Sequence, residues 1–223
     1  MTPPVRPAAT SFDGFGRDVL DFFDELEVNN DRAWFAAHRD RYESGIAEPL
    51  RLLGEALAPA FGTPKAFRPF RDVRFSADER PIKEQAGLLL SADDGGRYYF
   101  QLSAEGVFLA GGWWQPDKNA LARFRSLVDS PAGARSTHDA VAAVEHGGFD
   151  LAADGRLTGA PRGYKRDHPE IELLRRTSLA VGRSLPAEPW LFDASCVDHV
   201  ADAWRVIGTW NRWLVDNIGT GPV

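Results

Sequence analysis

The chain has 223 residues, 43% of them hydrophobic and 26% charged, with a formal net charge of -6. That is enough for one domain with a sizeable core, and the wrong sign of charge for a general polyanion binder, so nucleic acid is disfavoured as a partner. A single cysteine, Cys196, excludes an intrachain disulfide and a cysteine-held zinc; no apolar run approaches the roughly 18 residues of a membrane span, and the first residues carry no apolar secretory core, so the expectation is a soluble, cytoplasmic protein with no membrane partner.

Residues 1–11 are Pro-rich without apolar period and read as a flexible tail, leaving residues 12–220 as a single globular domain. Phe15, Val19, Phe22, Phe23 and Leu26 then recur at three- and four-residue steps, the spacing of one helical face. Asn29 and Asn30 break this pattern, and Asn30 or Asp31 is suited to cap a second helix whose buried stripe runs from Trp34 and Phe35 through Tyr42, Ile46, Leu50 and Leu57 to Phe61. Pro49 should kink or restart that helix, because it has no N–H to give.

After Gly62, Thr63 and Pro64 the chain changes to short alternating segments, which predict a sheet. Residues 70–76 read as a strand with Arg71, Val73 and Phe75 on one side and a polar row of Asp72, Arg74 and Ser76 on the other; Lys83 follows a turn containing Pro81. Residues 97–103 and 107–110, joined across Gly106, form a hairpin with Tyr98, Phe100 and Leu102 on one face and Tyr99, Gln101 and Ser103 on the other. Gly111 and Gly112 mark a bulge or a close backbone approach, followed by Trp113 and Trp114.

Helices are expected from Asp117 through Val128, over residues 137–144, from Pro169 through Leu174 and Leu179, and over residues 195–217 with Val200, Trp204, Ile207 and Leu214 on the apolar face. Residues 147–163 read as loop with a short strand at 155–158. Helical and strand patterns are segregated, not regularly alternating, so the fold class is α+β: a mainly antiparallel sheet with N- and C-terminal helices packed against it.

Phosphate-loop, dinucleotide, nucleophile-elbow and zinc-protease signatures are missing from the sequence, and the five histidines form no short metal-ligand pair, so neither a cofactor nor a metal is expected. Cys196 and His199, three apart on one helix, read as a buried thiol beside an imidazole. The loop holding Arg162, Tyr164 and His168 brings basic side chains to an expected helix start, where free N–H groups favour an anion; the competing reading is a simple cap with local ion pairs.

Several segments together carry a resemblance. They are residues 12–15, Asn29-Asn30 with Trp34-Phe35, residues 71–76 with Asp78, Pro81 and Lys83, Tyr98-Tyr99 with Gln101, Gly111-Gly112 with Trp114 and Pro116, and residues 161–164 with His168-Pro169. In these the chain resembles an uncharacterised family of bacterial and fungal proteins of about this length, catalogued as a domain of unknown function, so the resemblance implies no activity. Around the proline the family pattern has a basic residue, a small hydroxyl and an aromatic, where this chain has Glu79, Arg80 and Ile82.

Two functions are open at this point. One is a polar, basic cleft for a small anionic metabolite, lined by Arg71, Asp72, Arg74, Lys83, Tyr98, Gln101, Trp114, Arg162, Tyr164 and His168. Were that cleft an enzyme site, His168, Tyr164 and Asp72 would be the catalytic candidates, with a neutral His168 as base. The other is a non-catalytic interaction module whose charged motifs are structural ion pairs. No oligomeric state is assigned.

Overall fold

A computed structural model describes residues 11–71 and 79–219. Of the expected tail, residues 1–10 lie outside them, as do residues 72–76 of the expected polar strand.

The N-terminal helices follow the apolar spacing. Helix α1 (Val19–Val28) buries Val19, Phe22, Phe23 and Leu26. Asp31 caps α2 (Arg32–Ala37), its carboxylate accepting from the N–H groups of Ala33 and Trp34 at 2.8 Å each. Asn30 does something else. Its Nδ2 donates to Ile82 O and its Oδ1 accepts from Ile82 N, both at 3.0 Å, so one carboxamide imitates a neighbouring strand and anchors the chain just before Lys83.

Helix α3 (Arg39–Tyr42) leads through a π-helical turn, Glu43–Ala47, into α4 (Glu48–Phe61). The turn falls directly before Pro49, whose missing N–H cannot complete the usual ladder there. Pro49 thus restarts the helix.

Six antiparallel strands follow: β1 (Thr63–Ala66), β2 (Gln85–Ser91), β3 (Arg97–Ser103), β4 (Gly106–Trp113), β5 (Asp150–Leu151) and β6 (Leu179–Leu185). Their spatial order is β1-β2-β3-β4-β6-β5. Between β4 and β5 run α5 (Lys118–Val128), capped by Asp117, and α6 (Pro131–His146), capped by Ser130. A 3₁₀ turn, Pro189–Phe192, leads to the 23-residue α8 (Cys196–Ile218). The fold is α+β, with α4 and α8 on one face of the sheet.

The core lies between these helices and the strands. Leu88 and Leu90 of β2, Phe100 and Leu102 of β3, Leu109 of β4 and Val181 of β6 are all buried, as are Val200, Trp204, Ile207 and Leu214 of α8. The Trp204 ring meets Phe61 and Tyr98 at centroid distances of 5.3 and 5.6 Å.

Three expectations are corrected. Leu179 does not continue a helix: α7 spans only Ile171–Leu174, and Leu179 opens β6. Arg125 accounts for the early stop, since Nε and Nη2 donate to the carbonyls of Leu174 and Arg176 and hold the chain end open for extension. Residues 155–158 contribute one isolated bridge, Arg156 to Arg176, with the paired strand β5 lying earlier. Phe70 likewise makes one bridge, to Ile82, and belongs to no strand of the sheet.

Candidate functional site

Strand alternation sends every second side chain to the sheet face away from α4 and α8, where no described helix packs. On that face the register sets up rows running across the strands. One row contains Gly87, Gln101, Phe108 and Ser184; the next contains Leu89, Tyr99, Ala110 and Gly182. Phe67, just past β1, joins the first row through its N–H, which donates to Gly87 O at 2.9 Å.

Between these side chains lies a groove of about 570 Å³, a size suited to a small molecule. Phe67, Tyr99, Phe108 and Trp114 supply its aromatic surface; Lys83, Gln85, Arg97 and Gln101 supply polar groups. Trp114 is 55% exposed, whereas Trp113 beside it is fully buried, so the two indoles have different roles. A concavity of similar volume between α6 and α8 offers both signs of charge, Arg135 and Asp139.

At one corner of the groove the ladder opens. The β3–β4 pairing stops at Tyr98 and Gly111, and one residue further the buried Asn211 of α8 inserts its carboxamide between the strands. Its Nδ2 donates to Arg97 O at 2.9 Å and its Oδ1 accepts from Gly112 N at 3.1 Å, the two groups that the ladder would otherwise have brought together. Gly112 has φ +84°, and a Cβ there would stand 2.4 Å from Leu179 O. The paired glycines are therefore a close backbone approach, one of the two readings the sequence allowed.

Lys83 dominates the electrostatics. Among the described residues its ammonium has no carboxylate partner: Nζ donates to Arg68 O at 3.1 Å and lies 5.5 Å from the Phe67 ring centroid. Burial lowers its pKa, and the nearby charges of Arg68 and Arg71 lower it further. Tyr99 is pushed upward by burial alone and so is held as a phenol; its hydroxyl donates to Gln101 Oε1 at 3.1 Å.

The expected site residues therefore separate. Lys83, Gln101 and Trp114 line the groove, with Arg71 close enough to Lys83 to act on its charge. Asp72 and Arg74 lie outside the described residues. Tyr98 does not form a wall beside Gln101. The odd-numbered offset sends it to the helix side, against Phe61 and Trp204.

Tyr164 and His168 gather elsewhere, at the end of α5. His168 Nδ1 accepts from Glu170 N at 3.0 Å and Nε2 meets Asp129 Oδ1 at 3.0 Å, so both ring nitrogens are engaged. Tyr164 is raised, by burial first and then by Asp129. Arg162 is exposed on the same loop and does not line the groove. The four-residue α7 is too short to supply the expected anion-holding helix start.

Phe67, Tyr99, Phe108 and Arg97 were not among the expected site residues. For Tyr99 the signal was present, since alternation already put it on the face of Gln101; Phe67 required β1, which the sequence pattern concealed. Cys196 is fully buried and its thiol is pushed up to about 12 by burial, while His199 stacks on Trp190 at 5.1 Å. Among the described residues no group of three His, Cys, Asp or Glu side chains could hold a metal, and no helix is long and apolar enough to cross a membrane.

Fold and groove together define a class: an α+β protein with helices on one face of an antiparallel sheet and a partly aromatic, cationic groove on the other. Residues 18–213 match a family model, and the chain belongs to that family, the conserved hypothetical proteins DUF2461. No curated protein matches the chain, and no solved structure does.

Proposed function

We propose that this protein binds a small anionic metabolite in the groove on the helix-free face of its sheet, in a cytoplasmic setting. The observation that supports this reading is Lys83, a partly desolvated ammonium beside Phe67 with no carboxylate partner among the described residues. A cation kept there against burial and two guanidinium neighbours is costly to the fold, and an anion would offset that cost. Gln85 and Gln101 offer amide groups for orientation, and Trp114 offers an exposed indole. The reading concerns binding; no catalytic role is assigned to His168 or Tyr164, which line no part of the groove.

The interaction-module reading draws on different residues. His168 with Asp129, and His138 with Glu170, are pairs at 3.0 and 2.7 Å that fix the loop before α7 to α5 and α6. It predicts that small anions bind nowhere on the protein.

Thermal-shift screening of anionic metabolites against the wild type, followed by calorimetry on hits, separates the two. Lys83→Met should weaken a bound anion about tenfold or more, the worth of one charged hydrogen bond, while the melting temperature of the free protein holds or rises. A panel in which no anion stabilises the wild type, or in which Lys83→Met binds as well, rejects the proposal.

A further inference from the structure

The aromatic side chains on the bare face are arranged, and the arrangement constrains the shape of what they can hold. The rings of Phe67, Tyr99 and Phe108 form a staggered row that steps between the two register rows, with successive ring centroids 6.1 and 6.5 Å apart and interplanar angles of 61° and 66°. The rings lie against glycines in neighbouring strands. A Cβ on Gly87 would stand 2.7 Å from Tyr99 Oη and 3.1 Å from Phe67 Cδ2; one on Gly182 would stand 2.5 Å from Phe108 Cζ. The rings lie down across the sheet because those positions have no side chain.

A ring that lies over a strand turns part of its face outward, and the tilt between neighbours leaves edges beside faces. A flat aromatic guest can stack on one ring while taking the edge of the next, the two geometries that aromatic pairs prefer. A puckered or branched guest of equal size can do neither as well. Small residues, Gly87, Ala110 and Ala180 among them, share the lining with the rings.

Polar groups sit beside this platform. Gln101 Oε1 already accepts from Tyr99 Oη, which leaves the Gln101 amide N–H groups to donate toward a ring heteroatom or an exocyclic oxygen. Lys83 Nζ lies over the Phe67 end of the row and supplies the charge. With a net charge of -6 over the whole chain, this local cation can hold one small anion, not a polyanionic strand.

We infer that the occupant of this groove is a small planar aromatic acid, an aryl or heteroaryl phosphate or carboxylate, with its ring on the Phe67–Tyr99–Phe108 row and its anionic group on Lys83. The inference rests on the proposed anion-binding function and adds the shape of the ligand. It assigns Tyr99 and Phe67 as specificity-determining residues that select planarity, and Lys83 as the residue that selects charge.

Calorimetry on the full chain with phenyl phosphate, naphthyl phosphate and cyclohexyl phosphate tests it, because the phenyl and cyclohexyl compounds share carbon count and charge and differ in flatness. The expected order is naphthyl tightest, then phenyl, with cyclohexyl about tenfold weaker than phenyl, the scale of one lost ring stack. Tyr99→Leu should bring phenyl phosphate down to the cyclohexyl affinity while leaving cyclohexyl phosphate unchanged. Should Tyr99→Leu lose the native circular dichroism spectrum, Phe67→Leu at the groove rim carries the same expectation. Cyclohexyl phosphate binding as tightly as phenyl phosphate to the wild type overturns the planar class and leaves the anion-binding function standing. Failure of all three to bind overturns both.

Discussion

Replacing Asn211 with leucine removes the carboxamide that α8 inserts between β3 and β4. In the native protein this one side chain takes the carbonyl of Arg97 at 2.9 Å and the N–H of Gly112 at 3.1 Å, and it is only 3% exposed. Leucine is close in volume and fills the space, so the loss is chiefly of hydrogen bonds and not of packing. Two backbone groups are left without their partner, each at about 1–3 kcal/mol, so the variant should lose roughly 2–6 kcal/mol. The neighbourhood offers no substitute side chain: the space a Cβ of Gly112 would take is held by Leu179 O and Trp210 Nε1, which are hydrogen-bonded to each other at 2.8 Å. Urea unfolding followed by circular dichroism gives the midpoint and the slope together; an unchanged slope with a lower midpoint assigns the change to stability. A loss below about 0.5 kcal/mol, the range of ordinary surface substitutions, would refute the claim that Asn211 holds the open corner of the sheet.

Other expectations follow from the same structure. Trp204→Ala, at a fully buried site between Phe61 and Tyr98, should cost about 3–5 kcal/mol; an unchanged denaturation midpoint would take Trp204 out of the core. The Cys196 thiol, raised to about 12 by burial, should resist a thiol reagent in the native protein and react at once in denaturant; rapid native reaction would contradict its burial. Anion binding should weaken as pH rises through the lowered pKa of Lys83, before an ordinary lysine at 10.5 would lose its proton, and Lys83→Met should abolish that step. For folding the sign reverses: the unfolded chain holds the Lys83 proton more tightly, so the Lys83 contribution to stability grows as pH climbs from the folded pKa toward 10.5.

Much of the fold was legible because it rests on local period. The apolar faces of α1 and α8 and the alternation in the β3–β4 hairpin are all local signals, and the fold class follows from their segregation. Strand β2 was less visible, since its Ala86, Leu88 and Leu90 face the core while Gly87 and Leu89 line the groove, so apolar residues run through both faces. Leu174 and Leu179 misled for a related reason. Both are fully buried, yet one ends a helical turn and the other begins a strand, and only the contacts from Arg125 separate them.

The site was legible in part. Lys83, Gln101 and Trp114 could be named from sequence, but strand parity that put Tyr99 with Gln101 also removed Tyr98, and the notches at Gly87 and Gly182 exist only through cross-strand register. His168 was placed by a helix that proved to be a single turn.

The most direct test of the account is to locate a bound anion by amide chemical-shift mapping of the full chain titrated with phenyl phosphate. Shifts concentrated at Lys83, Gly87, Tyr99 and Gln101, and missing from the same titration of Lys83→Met, are the predicted result. Shifts concentrated instead at Asp129, Arg162 and His168, or none at saturating phenyl phosphate, would contradict a binding groove on the bare face of the sheet.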